Sequence, residues 1–314
     1  MRMWSENLVA LVQFFAPSNL VLTFDESCSC AARTDGVKVL NDVEELLSRN
    51  EKGEISGLSF PDRIIVTANH QIYADWVYIW CIAYLAGAHG AGMQFFDFVF
   101  LKRKLALDKE NILNNLTRSK KSGNPLWLIL FPEGTGCTRK KSQEYAAKNN
   151  IKDNRFTLLP RSTGLRLCTL ALDDSVEWLY DFTIGYSGIH ADVNPEDVYT
   201  ISKIFFLGQN PKKIHVHIRR YRVADIPKDA EAFAQWVHQR WVEKDAFMSQ
   251  FYKEGRFISP DNEQERMAYN SRTFEIPIKL NSSLLELAQP YVFLLSYIPL
   301  MKMVQTLFHS LSSR

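Results

Sequence analysis

The pair of residues in this sequence best suited to chemistry is His70 and Asp75, within Asn69-His-Gln-Ile-Tyr-Ala-Asp75. They follow Arg63–Ala68, an apolar run that reads as a β-strand. A His at the carboxyl end of an apolar strand stands where α/β sheets place their sites. If a helix starts between the two residues, Asp75 can turn back towards the imidazole. A carboxylate accepting the Nδ1 proton fixes the tautomer and stabilises the imidazolium, and the other nitrogen can then take a proton from an alcohol. A helix-starting Asp beside a satisfied structural His explains the same spacing. On spacing alone that is the commoner arrangement.

Three other stretches carry chemistry. Phe131-Pro-Glu-Gly-Thr-Gly136 directly follows the apolar strand Leu126–Leu130. Its glycines let a backbone approach a ligand closely, and exposed N–H groups there bind anions. It lacks the Gly-Lys-Ser/Thr ending of a P-loop, and a bare turn would read the same way. Leu158-Leu-Pro-Arg-Ser-Thr-Gly164 sets Arg161 on a rigid turn before a helix, where a guanidinium suits a phosphate or is simply a surface group. Phe100-Leu-Lys-Arg103 closes an apolar segment with basic residues. The five cysteines (28, 30, 81, 137 and 168) have neither disulfide nor zinc spacing, so no metal site is expected. Their odd count suits a reducing, cytosol-facing environment.

The elements that must position these residues read as strands alternating with helices. Strand patterns cover Arg63–Ala68, Pro125–Phe131, Tyr180–Ile184 and Ile214–Arg219. Helical patterns cover Val37–Ser48, Trp76–Ala86, Lys109–Ser119 and Ala230–Phe251. That alternation predicts an α/β domain.

Composition bounds the reading. With 314 residues, 46% apolar and 23% charged, the chain is close to an average globular protein. Whole-chain disorder, collagen and coiled coil are excluded, and a mean hydropathy of −0.18 excludes a polytopic membrane protein. Lys+Arg 37 against Asp+Glu 35 leaves +2, too balanced for a nucleic-acid protein by bulk charge. The balance is uneven, however. Lys102 to Arg155 holds 13 basic and 5 acidic residues, a local +8 that suits anionic ligands or lipid headgroups. Part of it, Lys148–Arg155, also reads as a solvated loop.

Three runs lack charge: Asn7–Phe24 (18 residues), Trp76–Phe96 (21) and Leu287–Met301 (15). A spanning helix needs about 20 mostly apolar residues. Pro17 breaks the first run and Pro290 and Pro299 break the third, so both suit an interface or a core better than a span. The middle run has three glycines in Gly87–Gly92 and predicts a buried helix ending in a loop.

The motifs come in a specific order: His-x4-Asp on His70–Asp75, Phe-Leu-x-Arg on Phe100–Arg103, Phe-Pro-Glu-Gly-Thr on Phe131–Thr135 and Leu-Pro-Arg on Leu159–Arg161. In this the chain resembles the glycerophospholipid acyltransferase family, which includes the lysophosphatidic acid acyltransferases. Tyr180–Tyr186, Lys213–Arg220, Trp241–Asp245 and Phe251-Tyr252 are similar to stretches of its eukaryotic lysocardiolipin and lysophosphatidylinositol members. The resemblance covers roughly Arg63 to Phe257.

The resemblance implies a mixed sheet flanked by helices, like that of the glycerol-3-phosphate acyltransferases. It would lie at 61–260, between apolar membrane-contacting segments at 1–60 and 261–314. It implies acyl transfer from acyl-CoA to a hydroxyl of a lysophospholipid, with His70 as general base and Asp75 orienting it. Glu133, Gly134 and Thr135 match the acceptor-binding motif, Arg103 its phosphate-contacting basic residue, and Pro160 and Arg161 the motif tied to acyl-CoA binding or site shape. No cofactor beyond acyl-CoA as co-substrate, no metal and no nucleic-acid partner is implied. A membrane lipid surface is implied, at the endoplasmic reticulum with the lipid droplet as a variant and the site facing the cytosol.

Two departures stand out. Gly136 occupies a position that is often Arg in enzymes taking lysophosphatidic acid, which tilts the expectation towards lysophosphatidylinositol or lysocardiolipin. Ala86–Gly92 joins the first helix to Met93-Gln-Phe-Phe96 almost directly, where relatives usually carry a further Lys-bearing strand. The chain also starts where relatives would have passed a membrane helix, so a truncated product is a possible reading. Two alternatives follow: a transacylase independent of CoA, and a non-catalytic lipid-binding protein with a disrupted site.

Overall fold

The computed structural model describes residues 2–28, 43–87, 105–134, 138–258 and 272–281. In chain order the elements are α1 (Arg2–Phe15), β1 (Asn19–Phe24), β2 (Leu47–Arg49), β3 (Ile55–Leu58), β4 (Arg63–Ala68), α2 (Asp75–Leu85), α3 (Leu105–Ser122), β5 (Leu126–Leu130), α4 (Arg139–Asn149), α5 (Ser162–Leu172), β6 (Trp178–Tyr186), α6 (Pro195–Val198), α7 (Ile201–Phe205), β7 (Lys213–Arg222), α8 (Ala230–Glu254) and β8 (Thr273–Pro277).

Six strands form one mixed sheet in the order β5-β4-β6-β7-β1-β8. β4 runs parallel to both β5 and β6, so the carboxyl ends of these three strands share one edge. β7 runs against β6, β1 is parallel to β7, and β8 is antiparallel to β1. The two-residue period of a strand sorts side chains between two layers. Ile64, Val66 and Ala68 of β4 join Leu20, Leu22, Phe24, Phe182 and Ile218 against α1 and α2. Ile65 of the same strand joins Leu126, Leu128 and Leu179 against α3, α5 and α8.

The four expected strands and the helices at 76–86, 109–119 and 230–251 are present, most of them longer than their sequence patterns. α2 is buried on every face except Trp76, as a helix apolar all round must be, and Cys81 packs inside it. Residues 44–49 differ from expectation: Glu44–Leu46 make one 3₁₀ turn and Leu47 opens β2 instead of continuing a helix. The cause is the turn that follows. Asn50 Oδ1 accepts the N–H groups of Lys52 and Glu54, and Gly53 takes φ +77°, closing a hairpin onto β3.

The expected boundaries also shift. β1 and β8 lie outside 61–260, yet both are strands of the sheet. Leu20, Leu22 and Phe24 from the first uncharged run therefore meet the core, fully buried, and not a bilayer. The other half of that run is amphipathic, with Val9 and Val12 packed inside and Phe14 and Phe15 exposed. No helix among the described residues is long and apolar enough to cross a membrane. The third uncharged run, Leu287–Met301, lies outside the described residues.

Candidate functional site

Asn69 sets the geometry at the end of β4. Its side chain copies a strand residue, donating Nδ2–H to the Ile184 carbonyl (3.0 Å) and accepting the Ile184 N–H (2.7 Å). That pins the chain to β6 one residue before His70. The backbone then turns and starts α2 at Asp75. The wholly buried Asp75 carboxylate faces back over this turn, where Oδ2 takes the N–H groups of Gln71 (2.7 Å) and Ile72 (3.0 Å) and lies 2.7 Å from His70 Nδ1. Its Oδ1 accepts the hydroxyl of Tyr186, from the end of β6. The His70 ring rests against Phe131, centroids 4.9 Å apart, and its side chain is 16% exposed.

With Nδ1 committed to Asp75, Nε2 is the nitrogen left for chemistry. Burial alone would push the imidazole pKa down. The hydrogen bond to Asp75 and the charges of Asp75, Glu133 and Glu196 outweigh it and hold the pKa above the ordinary value. His70 borders a cleft of about 490 Å³ whose walls include Gln71, Arg139, Arg155, Phe156 and Glu196. The pair can thus act as an oriented general base towards a hydroxyl in that cleft.

Of the other expected residues, Glu133 joins His70 at the cleft and Arg161 lies apart from it. Glu133 lies beneath the site, 1% exposed, with Oε1 accepting Trp241 Nε1–H at 2.9 Å and Oε2 meeting no donor among the described residues. Burial pushes its carboxyl up to about 7, against the opposing pull of Trp241, His70 and Lys244. Gly134 takes φ +82° and closes the turn with its N–H on the Phe131 carbonyl, a backbone shape that favours glycine. Pro160 is buried. Arg161 donates its backbone N–H to Pro132 (2.7 Å), but its guanidinium lies 3.6 Å over the Tyr145 ring. It lines a separate groove with Lys141 and Lys148, away from His70. Arg103 and Thr135 fall outside the described residues.

Several site residues carried no role in the sequence reading. Arg139 holds the cleft-wall loop through the carbonyls of Asn154 (2.6 Å), Arg155 (2.8 Å) and Thr157 (2.9 Å). Asp245 of α8 accepts the N–H groups of Arg155 (3.0 Å), Phe156 (2.6 Å) and Thr157 (2.9 Å) in the same loop. Tyr252 donates to Gln71 Oε1 at 3.3 Å. Between Trp241 and Asp245, Lys244 is fully buried and pairs with Asp181 at 2.6 Å, while Arg219 pairs with the other Asp181 oxygen at 2.7 Å. α8 is therefore the post against which both site loops lean. The stretches Tyr180–Tyr186, Trp241–Asp245 and Phe251-Tyr252 were visible as text, but their roles depend on contacts between residues 38 to 181 positions apart.

An imidazole fixed by a buried carboxylate at the carboxyl edge of three parallel strands has a geometry that a general-base group transfer can use. Comparison with known proteins is specific about which one. Family models described as Acyltransferase and Acyltransferase C-terminus match residues 54–176 and 205–284. An uncharacterised acyltransferase of Schizosaccharomyces pombe is 32% identical over 80% of this chain and 73% of its own length. A 2-acyl-1-lysophosphatidylinositol acyltransferase of Saccharomyces cerevisiae is 36% identical over 62% of this chain and 63% of its own. A lysocardiolipin acyltransferase 1 of Danio rerio is 29% identical over 61% and 53%. The chain belongs to the glycerophospholipid acyltransferase family, beside its eukaryotic lysophosphatidylinositol and lysocardiolipin members. It spans between half and three quarters of the length of these relatives.

Proposed function

We propose that the chain transfers a fatty acyl group from acyl-CoA to a hydroxyl of a lysophospholipid, with lysophosphatidylinositol or lysocardiolipin as the acceptor and lysophosphatidic acid as the smaller alternative. The observation that carries the reading is the His70–Asp75 pair at the mouth of the cleft, in a family whose members carry such names. His70 Nε2 takes the acceptor hydroxyl's proton as its oxygen attacks the thioester carbonyl. The carbon–sulfur bond then breaks, and the imidazolium returns its proton to the CoA thiolate. No acyl-enzyme is required. Basic side chains on the cleft wall, Arg139 and Arg155, supply positive charge for anionic headgroups.

The acceptors are amphipathic, and each buried CH₂ is worth about 0.8 kcal/mol, so the enzyme works at a lipid surface. We place that surface at the endoplasmic reticulum, with the site facing the cytosol. The test is transfer of labelled acyl-CoA onto a panel of lysophospholipids in membranes. His70→Ala is expected to lose roughly 10²–10⁴-fold of the turnover, and retention of full activity would remove His70 from the reaction. Acyl exchange without added CoA would favour a transacylase, and membrane binding without turnover a lipid-binding protein.

A further inference from the structure

The Asp75 carboxylate has two ends, and the mechanism above uses one. Oδ2 serves His70 and two backbone N–H groups. The one hydrogen bond to Oδ1 among the described residues comes from the Tyr186 hydroxyl, the last residue of β6 and 111 positions away in sequence. Both side chains are buried, so water does not substitute for this donor. We propose that Tyr186 is a positioning residue of the site: its hydroxyl holds the Asp75 carboxylate in the orientation in which the opposite oxygen fixes the His70 ring.

Three features support this. The sheet delivers Tyr186 to the place, because β6 runs parallel to β4 and extends beyond it at the site edge. Its ring is wedged between Tyr78 (centroids 5.8 Å) and Tyr199 (6.2 Å), which restrains the direction of the hydroxyl. Burial and the Asp75 charge also push the phenol pKa well above its ordinary range, so it remains a donor at any working pH. A hydrogen bond to an ionised carboxylate favours that ionised form. Without it, the His70–Asp75 pair holds its proton more tightly as a unit. The other ionisable groups facing the pair or the cleft are Glu133 and Glu196, Tyr78 and Tyr252, and the Arg139, Arg155 and Asp192 side chains. All stay in place when only Tyr186 is altered.

The inference rests on His70 being the base, so its test includes that variant. The full chain is assayed in membranes with acyl-CoA and lysophosphatidylinositol, recording kcat, KM and the pH dependence of kcat/KM. Tyr186→Phe is expected to lower kcat roughly 10- to 100-fold, the range for a hydrogen bond to a charged group. KM should stay within about twofold, and the acid limb should move to higher pH. Incorporating 3-fluorotyrosine at 186 keeps the shape and strengthens the donor, so the limb should move the other way. That variant carries the test if Tyr186→Phe does not accumulate. Tyr180→Phe, a buried phenol of the same strand that packs against Phe60 away from the pair, should leave rate and profile unchanged. If Tyr186→Phe keeps its kcat and acid limb while His70→Ala is inactive, the inference fails. It also fails if Tyr180→Phe reproduces the loss, which would mark a packing effect. An active His70→Ala instead strikes the assignment of the base, and the inference with it.

Discussion

A carboxylate removed from water costs several kcal/mol unless donors surround it. Asp75 is surrounded by an imidazole, two backbone N–H groups and a phenol. Asp75→Asn presents an amide to these donors and misdirects the ring, so turnover should fall steeply in a single-turnover assay while substrate Kd barely changes. A comparable loss of binding would mark Asp75 as structural. With His70 as the proposed base, which loses its proton to act, its raised pKa places the expected wild-type acid limb above the ordinary imidazole value near 6.5. Glu133 behaves differently. Its folded pKa of about 7 exceeds its unfolded value, so the native state keeps a proton that the unfolded chain has lost. Stability should therefore fall as pH rises from about 4.5 to about 7, and Glu133→Gln should flatten that slope in thermal melts. His70 and Asp75 were legible because their partnership spans five residues. The burial of Glu133 was not, because its neighbour Trp241 is 108 positions on.

At the scale of elements, α8 governs the site without lining much of it. Trp241, Lys244, Asp245, Met248, Phe251 and Tyr252 lie along one side of the helix and reach Glu133, Asp181, the 155–157 loop and Gln71. Phe251 comes so near the sheet that a Cβ on Gly185 would stand 2.8 Å from its ring, so β6 needs a glycine there. Asp245→Ala strips three backbone N–H groups of their acceptor, which costs about 1–3 kcal/mol. The expected result is a lower melting temperature and faster proteolytic cutting near residue 155. Equal protease resistance in wild type and variant would contradict the bracing role. The helix itself was legible from its pattern, and its Asp229 cap follows the usual rule, accepting Glu231 and Ala232 N–H. Which strands and loops it braces could not be read, since periodicity gives a buried face but not its partner.

For the whole molecule, the uncharged runs were the hard part of the sequence. A core strand and a lipid-facing segment share the same composition, and β1 turned out to be the former. Four strands were legible through β-branched runs between polar turns, whereas β8, with Glu275 in its middle, was not. Exposed apolar side chains gather on α1, α7 and the turn after it: Phe14, Phe15, Ile201, Phe206 (80% exposed) and Leu207. α1 packs on α7, and the excursion between β6 and β7 that carries α7 also walls the cleft. Phe206→Asp with Leu207→Asp should weaken binding to phosphatidylcholine–phosphatidylinositol vesicles in flotation while leaving the melting temperature within about 2 °C. Undiminished flotation would move the lipid contact elsewhere. The position of β1 also bears on how the chain is made. Its partner β7 emerges from the ribosome about 190 residues later, a wait of roughly 10–40 s at ordinary translation speeds. For that interval a six-residue strand without a single charge has no native edge to join, and its unpaired backbone stands open to pairing with other chains until the sheet can close around it.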